Sequence, residues 1–235
     1  MNDQPPPASA STAALSSRLQ LAVVSDVAAE FAERVVEAFH CRPGERFGLA
    51  LTGGPVAAEC YERLSTHGET QIDWWQVELF LVDECAVEAD HVDSHERLVR
   101  AMLLDRVGAA HRVHTLRDQH SRDEVANTVA ARSLDLIHLD LGPDGRLSSI
   151  FPRAPFGPVG STPVVQLRDP LDRVRPDRFC LHPDVIARAG CILITAVGAS
   201  VADALNAVRH GHDVPGHHLP PDRVVWLADH AAARA

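Results

Sequence analysis

An apolar segment that runs directly into a turn of glycine and proline is the feature that most restricts the fold of this chain. Residues 134–140 (Leu-Asp-Leu-Ile-His-Leu-Asp) are typical of a buried strand that ends in a carboxylate. Residues 141–152 (Leu-Gly-Pro-Asp-Gly-Arg-Leu-Ser-Ser-Ile-Phe-Pro) follow without a break. In open α/β sheets, ligands bind beyond the carboxyl ends of the strands. The sequence therefore predicts a ligand site at this turn, with backbone amides and one acid at its rim.

Other apolar segments alternate with segments of helical spacing along the chain. The pattern predicts further strands at residues 19–24, 47–52, 77–82, 113–114, 179–181, 191–195 and 224–227. It predicts helices at residues 27–39, from the Gly53-Gly54 turn to 64, and at 95–104, 121–132 and 200–209, with Ser25-Asp26 capping the first of them. Apolar strands that alternate with helices favour the α/β class, with a mostly parallel sheet covered by helices on both faces.

The chain is predicted to form a single domain after a short tail. Residues 1–17 are rich in Pro, Ala, Ser and Thr, and we expect them to be disordered. The domain then spans residues 18–235. Residues 153–177 are rich in Pro, Gly and Arg and are predicted to be an irregular loop. We do not interpret this loop as a domain boundary, because the strands on either side are expected to serve one sheet.

The charge composition restricts the ligands. The 22 basic residues are all Arg, and with 32 acidic residues the net charge is −10. A protein of this charge lacks the basic surface that general nucleic-acid binding needs, but a local group of arginines can still bind a phosphate. The absence of Lys excludes Schiff-base chemistry on a lysine side chain.

The cysteines and the apolar segments indicate the cellular compartment. The five cysteines are widely spaced and form no Cys-x-x-Cys pair, which favours reduced thiols over a disulfide framework. No apolar segment reaches the length of about 20 residues that spans a bilayer, and the start of the chain does not resemble a signal peptide. We expect a cytoplasmic protein without a membrane partner. The Gly-x-Gly-x-x-Gly motif of dinucleotide sites is absent, and we expect no cofactor and no metal.

The turn at residues 141–152 resembles the 6-phosphogluconolactonase signature, Gly-x-Gly-Pro-Asp-Gly-His followed by small residues and Leu-Phe-Pro. Three further blocks resemble the same family in the same order, so that the resemblance extends from about residue 19 to 232. The blocks are residues 47–54, residues 72–74 with 77–84, 93–94 and 103–104, and residues 178–181 with 191–198. The resemblance implies the Rossmann-like sheet shared with glucosamine-6-phosphate deaminases and ribose-5-phosphate isomerases. It also implies hydrolysis of a phosphorylated sugar δ-lactone without a metal.

The resemblance also implies a set of site residues. It assigns substrate binding to Thr52, Gly53, Gly54, Glu84, Ser94, Gly142, Gly145 and Arg178, and catalysis to Asp83, Asp144 and Arg146. In this interpretation Arg178 and the Gly53-Gly54 turn hold the phosphate, while Asp144 and Arg146 flank the lactone carbonyl. A plain strand-to-helix turn remains an alternative for Gly53-Gly54, because Pro55 has no N–H and Val56 has no hydroxyl where the family usually has Ser or Asn and Thr.

Arg146 is the main departure from the family, whose general base is a His at this position. An arginine keeps its proton at neutral pH, so Arg146 can stabilise an oxyanion or bind phosphate but cannot activate water. General-base catalysis is worth about 10²–10⁴-fold in rate. Asp144 is one replacement, although a solvated aspartate is a weak base at neutral pH. His95 and His182 are the others. Cys85, His95 and Val201 also stand where the family has Arg, Asn and Lys.

Three functions follow from these observations. The first is a 6-phosphogluconolactonase-like hydrolase of the pentose phosphate pathway with a modified site. The second is a catalytically impaired relative that binds a sugar phosphate or a protein partner. The third is an isomerase or deaminase of a phosphosugar on the same fold.

Overall fold

Strands and helices alternate along most of the computed structural model, which describes residues 19–108, 110–152, 162–169 and 177–234. The described residues form the strands β1 (Gln20–Val23), β2 (Phe47–Leu51), β3 (Val77–Leu81), β4 (Asp83–Cys85), β5 (Arg112–His114), β6 (Leu136–Asp140), β7 (Val164–Leu167), β8 (Arg178–Leu181), β9 (Cys191–Ala196) and β10 (Val224–Ala228). The predicted tail and most of the segment 153–177 lie outside the described residues.

The helices lie close to their predicted positions, except that Pro183–Ile186 was not predicted. They are α1 (Val27–Cys41), α2 (Pro55–His67), α3 (His95–Val99), α4 (Gln119–Ala131), α5 (Pro183–Ile186) and α6 (Ala202–Arg209). Asp26 caps α1 as predicted, because its Oδ1 accepts from Ala29 N at 2.9 Å. Asp118 caps α4 through Ser121 N at 2.8 Å, so this helix begins two residues before the predicted start. Helix α3 continues through a π-helical turn, Arg100–Leu104, and a final turn, Asp105–Val107.

Seven parallel strands form the central sheet in the order β1-β10-β9-β6-β2-β3-β5. Every residue of Phe47–Leu51 is buried, so both faces of this part of the sheet are covered. Burial on both faces explains why the strand is a continuous apolar run rather than an alternating one. The predicted mostly parallel α/β sheet is confirmed.

A second sheet was not predicted. Strands β4, β8 and β7 form an antiparallel sheet in which Asp83 pairs with Cys180 and Val164 with Leu181. The expectation that strands on both sides of the loop 153–177 serve one sheet is confirmed for β6, β9 and β10. It is wrong for Arg178–Leu181, which joins the smaller sheet. Residues 164–167 are a strand rather than irregular loop. Asp83 and Glu84 lie within β4 and do not simply end β3.

The strand order changes direction between β2 and β6, which are neighbours in the sheet. After β2 the chain continues to β3 and β5 on one side, whereas β6 is followed by β9 and β10 on the other. The register joins Leu49 to Leu136 and Ala50 to Ile137, in the second half of β2 and at the start of β6. Beyond these pairs the two carboxyl ends separate. Such a topological switch point is where open α/β sheets bind ligands.

The described helices include none that is long and apolar enough to cross a membrane. The five cysteines are all free thiols, as predicted: Cys41, Cys60, Cys85, Cys180 and Cys191.

Candidate active site

A cavity of about 230 Å³ opens at the carboxyl ends of β2 and β6. It is lined by Thr52, Gly53, Gly54, Pro55, Asp83, His95, Asp140, Arg146, Ser148, Phe151 and Arg178. Six of the residues that the sequence predicts for the site thus meet in one cavity: Thr52, Gly53, Gly54, Asp83, Arg146 and Arg178. They come from β4, β8 and the segments that follow β2 and β6, which only the fold brings together.

Asp83 is buried in the cavity wall, and both oxygens of its carboxylate are occupied. Thr52 Oγ1 donates to Oδ1 at 2.7 Å, the hydroxyl of Ser149 donates to Oδ2, and His95 Nδ1 lies 3.2 Å from Oδ1. Burial alone would raise the pKa of Asp83, but His95, Ser149 and Arg178 outweigh it and lower the pKa to about 2. Asp83 is therefore a permanently ionised group that orients its neighbours and is a weak base.

His95 connects this carboxylate to Arg178. Its Nδ1 faces the backbone oxygen of Asp83 at 3.0 Å, and its Nε2 lies 2.9 Å from Arg178 Nη1. Because a guanidinium only donates, Nε2 accepts, and the imidazole proton lies on Nδ1. Burial opposes ionisation of His95 and the Asp83 carboxylate favours it. The 2.9 Å contact with Arg178 requires the neutral imidazole, because a guanidinium has no lone pair to accept a proton from Nε2. His95, one of the three predicted replacements for the base, thus lies in the cavity wall.

Gly53 leaves the space that His95 occupies. A Cβ atom at Gly53 would stand 2.1 Å from His95 Cδ2, far inside van der Waals contact. The glycine of this turn therefore serves the close approach of a buried imidazole as well as any ligand.

Glu84 and Ser94 organise the start of α3, and their role in substrate binding stays a prediction. Glu84 Oε1 accepts from the backbone N of Cys85 at 2.8 Å and of His95 at 2.7 Å, and Oε2 accepts from Glu96 N at 2.8 Å. The Ser94 hydroxyl donates to Glu84 Oε2 at 3.2 Å and caps Arg97 N at the same distance. Neither residue is among the described residues that line the 230 Å³ cavity, although Ser94 lines a neighbouring one of about 350 Å³. Their contacts hold His95 in place.

The turn at residues 141–152, called the signature turn below, directs Arg146 into the cavity. Arg146 Nη1 donates to Asp144 Oδ1 at 3.0 Å, and Gly142 N donates to Arg146 O at 2.9 Å. Gly145 has a φ of +83°, a conformation that favours glycine. A Cβ at Gly142 would stand 2.8 Å from Arg146 Cγ. Asp144, Gly142 and Gly145 do not line the cavity as the structure describes it, so they shape the turn that carries Arg146, and a direct catalytic role for Asp144 stays a prediction.

Asp140 lines the cavity but was missed among the predicted site residues. Burial raises the pKa of Asp140 to about 6, and Asp83 adds to this effect, whereas Thr195 and Arg146 oppose it. A signal was present in the sequence, because the first Gly of the Gly-x-Gly-Pro-Asp-Gly-His signature falls on Asp140. The third predicted candidate, His182, caps α5 through Asp184 N at 3.1 Å and is not among the described residues lining the cavity.

Fold and site together define a Rossmann-like α/β protein whose cavity at the topological switch point is lined by two arginines and two aspartates. The family model described as glucosamine-6-phosphate isomerases/6-phosphogluconolactonase matches residues 19–229. The chain belongs to this family, and the resemblance predicted from its sequence blocks is confirmed.

Individual relatives agree with this assignment. A 6-phosphogluconolactonase of Mycobacterium leprae is 28% identical, over 80% of this chain and 85% of the relative. The crystal structure of a 6-phosphogluconolactonase from Shewanella baltica has a TM-score of 0.74 at 22% identity and covers 90% of this chain and 97% of that one. A monomeric glucosamine-6-phosphate deaminase has a TM-score of 0.75 at 17% identity, covering 92% and 99%. At these identities the two structures support the fold alone.

Proposed function

We propose that this protein hydrolyses 6-phospho-glucono-1,5-lactone to 6-phosphogluconate, the lactonase reaction of the pentose phosphate pathway, in the cytoplasm. Membership of the family supports the reaction class. The observation that carries the proposal is that Arg146 and Arg178, from two different parts of the fold, line one cavity at the switch point. A phosphorylated lactone presents two anionic centres during hydrolysis, the phosphate and the oxyanion that forms at the carbonyl.

The two arginines divide these tasks. Arg178 is on β8 and is held by His95, which suits a fixed phosphate contact. Arg146 is in the signature turn and pairs with Asp144, so its cation stands beside the place where the lactone carbonyl is expected. A cavity of about 230 Å³ suits a single phosphorylated monosaccharide better than a longer saccharide.

An inactive relative that binds a sugar phosphate is the alternative, and it would use the same cavity. Pro55 lines it and offers no N–H to a phosphate, and Cys85 provides no cation. An isomerase or deaminase would use the same fold and would also need a group that gives and takes a proton. An activity assay separates these functions, because only the hydrolase produces acid from the lactone.

The test is lactonase activity on freshly generated 6-phospho-glucono-1,5-lactone, measured below pH 7.5 to keep spontaneous hydrolysis slow. Wild type, Arg146→His and the exposed control Arg97→Gln are run against the blank without enzyme. We expect wild type and Arg97→Gln to exceed the blank. Wild type at the blank rate would contradict the proposal, and activity confined to Arg146→His would show an impaired relative whose defect lies at this position.

A further inference from the structure

We propose that Asp140 is the general acid–base residue of this site, and that a buried chain of Thr195, His138 and Tyr61 serves it in both protonation states. The inference rests on the proposed hydrolase function and deepens it, because it names the group that replaces the family's His. Asp140 stands where the family signature has a Gly, so the family pattern does not supply this role.

The other ionisable side chains of the cavity are poorly suited to activate water. Arg146 and Arg178 have no lone pair to accept a proton. Asp83 is ionised but holds Thr52, Ser149 and His95 with its two oxygens. Both ring nitrogens of His95 are engaged, one with Asp83 and the other with Arg178. Asp140 is the remaining candidate among the described lining residues.

The position of Asp140 is held from two sides. Ser148 holds the backbone of this residue, since Asp140 N donates to Ser148 Oγ at 3.2 Å and Ser148 N donates to Asp140 O at 2.8 Å. The side-chain oxygen Oδ1 lies 3.2 Å from Thr195 Oγ1. The other oxygen, Oδ2, would be 3.9 Å from a Cβ atom on Gly54, across the crevice. One oxygen is thus anchored towards the sheet, while the other faces the turn that follows β2.

When Asp140 is ionised, each hydrogen bond of the buried chain is donated in the direction of its carboxylate. The Tyr61 hydroxyl donates to His138 Nδ1 at 3.0 Å, His138 Nε2 donates to Thr195 Oγ1 at 3.1 Å, and Thr195 donates to Asp140 Oδ1. Thr52 N completes the chain by donating to the Tyr61 oxygen at 3.0 Å. The carboxylate is therefore stabilised by a series of aligned hydrogen bonds.

When Asp140 is protonated, the same contacts can run in the opposite direction. Asp140 then donates to Thr195, Thr195 donates to His138 Nε2, and His138 Nδ1 donates to Tyr61. The Tyr61 hydroxyl turns to the backbone oxygen of Thr52, which lies 2.9 Å away. The imidazole changes only its tautomer and stays neutral, because burial lowers the pKa of His138 to about 3. Thr195, His138 and Tyr61 each keep their hydrogen-bond partners in both states. A buried acid–base residue requires this of its neighbours.

This arrangement fits the chemistry of lactone hydrolysis. The oxygen of a water forms a bond to the carbonyl carbon while Asp140 takes one proton of that water. The carbonyl electron pair moves onto the oxygen, where Arg146 stabilises the negative charge. The carbonyl then re-forms, the bond to the ring oxygen breaks, and protonated Asp140 returns its proton to that oxygen. One water is consumed, and the product acid releases its own proton to solvent.

Several ionisable groups face Asp140 and set the pH at which it works. They are Cys60 and Tyr61 of α2, Asp83 of β4, His95 of α3, His138 of β6, Arg146 of the signature turn and Arg178 of β8. Asp83 raises the pKa of Asp140, whereas Thr195 and Arg146 lower it. The base form is the carboxylate, so we expect kcat/KM to fall as the pH decreases below about 6.

The test compares pH profiles of kcat/KM between pH 5 and 7.5 for wild type and five variants, one of which is His95→Gln. We expect Asp140→Asn to lose about 10²–10⁴-fold in kcat. Its kcat/KM should also no longer decrease towards acidic pH, a decrease that we call the acid limb of the profile. Thr195→Val should move the limb to higher pH, because the carboxylate loses a donor, whereas Thr195→Ser should keep the wild-type limb. Asp222→Asn, an exposed acid before β10 and far from the cavity, is the matched control.

The outcomes separate the two proposals. Wild type at the blank rate would overturn the hydrolase function itself. An active wild type with an equally active Asp140→Asn would overturn the role of Asp140 and leave the hydrolase standing, and loss in His95→Gln instead would assign the base to His95. If Asp140→Asn misfolds, Thr195→Val decides, because an unshifted acid limb would contradict the chain that serves Asp140.

Discussion

The Nε2 atom of His95 lies 2.9 Å from Nη1 of Arg178, so a neutral imidazole holds a guanidinium at the edge of the cavity. The Nε atom of the same guanidinium is buried and has no hydrogen-bond partner among the described residues. A buried donor without a partner costs free energy unless a ligand accepts from it. Because Arg178 also lines the cavity, a phosphate bound there can accept from another nitrogen of this guanidinium.

Arg178→Gln is therefore expected to weaken binding of the phosphorylated lactone. A hydrogen bond to a charged group is worth about 1.5–3 kcal/mol, which corresponds to a rise in KM of about 10–150-fold with a smaller change in kcat. Steady-state kinetics on the phosphorylated lactone and on unphosphorylated glucono-1,5-lactone measure this effect. An equal loss on both lactones would argue against a phosphate contact. Arg97→Gln controls for the loss of one positive charge.

Gly53→Ala is expected to disturb His95 and to destabilise the fold. The new methyl group would stand 2.1 Å from His95 Cδ2, and the ring cannot easily move because Asp83 and Arg178 hold both of its nitrogens. Overpacking of this kind costs about 1–3 kcal/mol in the free energy of unfolding. Urea denaturation measures it, with Gly44→Ala as the control, since a Cβ there comes no closer than 4.0 Å to any atom. Equal stability of the two variants would refute the tight contact.

The central sheet was predictable because its strands carry a strong local signal. Strand β2 is buried along its whole length and appears as a continuous apolar run. The small sheet was not predictable in the same way. Strand β4 consists of Asp83-Glu84-Cys85, and β7 lies in a segment rich in Pro, Gly and Arg. Both depend on antiparallel pairing with β8, which is distant from β4 in the chain, and local composition does not report such pairing.

Only part of the site was predictable, because the rest also depends on contacts between residues that are distant in the chain. Arg178 and the Gly53-Gly54 turn could be inferred from motif blocks, but the position of His95 depends on how Glu84 and Ser94 hold the start of α3. Asp140 is the last residue of β6, the strand from which the site was predicted. Its environment depends on Thr195, a residue of the neighbouring strand β9, so its raised pKa could not be seen from the chain alone.

Arg146→Gln should change the pH dependence of the reaction as well as its rate. The guanidinium lowers the pKa of Asp140, so its removal should raise that pKa and move the acid limb of kcat/KM to higher pH. Loss of the cation beside the oxyanion should also lower kcat, by about 10²–10³-fold if Arg146 acts as an oxyanion donor does. The pH profile separates the two effects. An unchanged limb with a lower kcat would mean that Arg146 acts on the substrate without influencing Asp140.

Asp140→Asn is expected to make the protein more stable at neutral pH while it lowers activity. The pKa of Asp140 in the folded protein, about 6, lies above its ordinary value of 3.8. Between these values the folded state binds more protons than the unfolded state, so the free energy of unfolding of the wild type decreases as the pH rises. An amide does not ionise and avoids this loss. We expect Asp140→Asn to exceed wild type by about 1–3 kcal/mol at pH 7.5, and the difference to shrink towards pH 4. Urea denaturation at both pH values measures it, with Asp222→Asn as the control. A difference that is the same at both pH values would show that Asp140 is not held in a site that disfavours its charge.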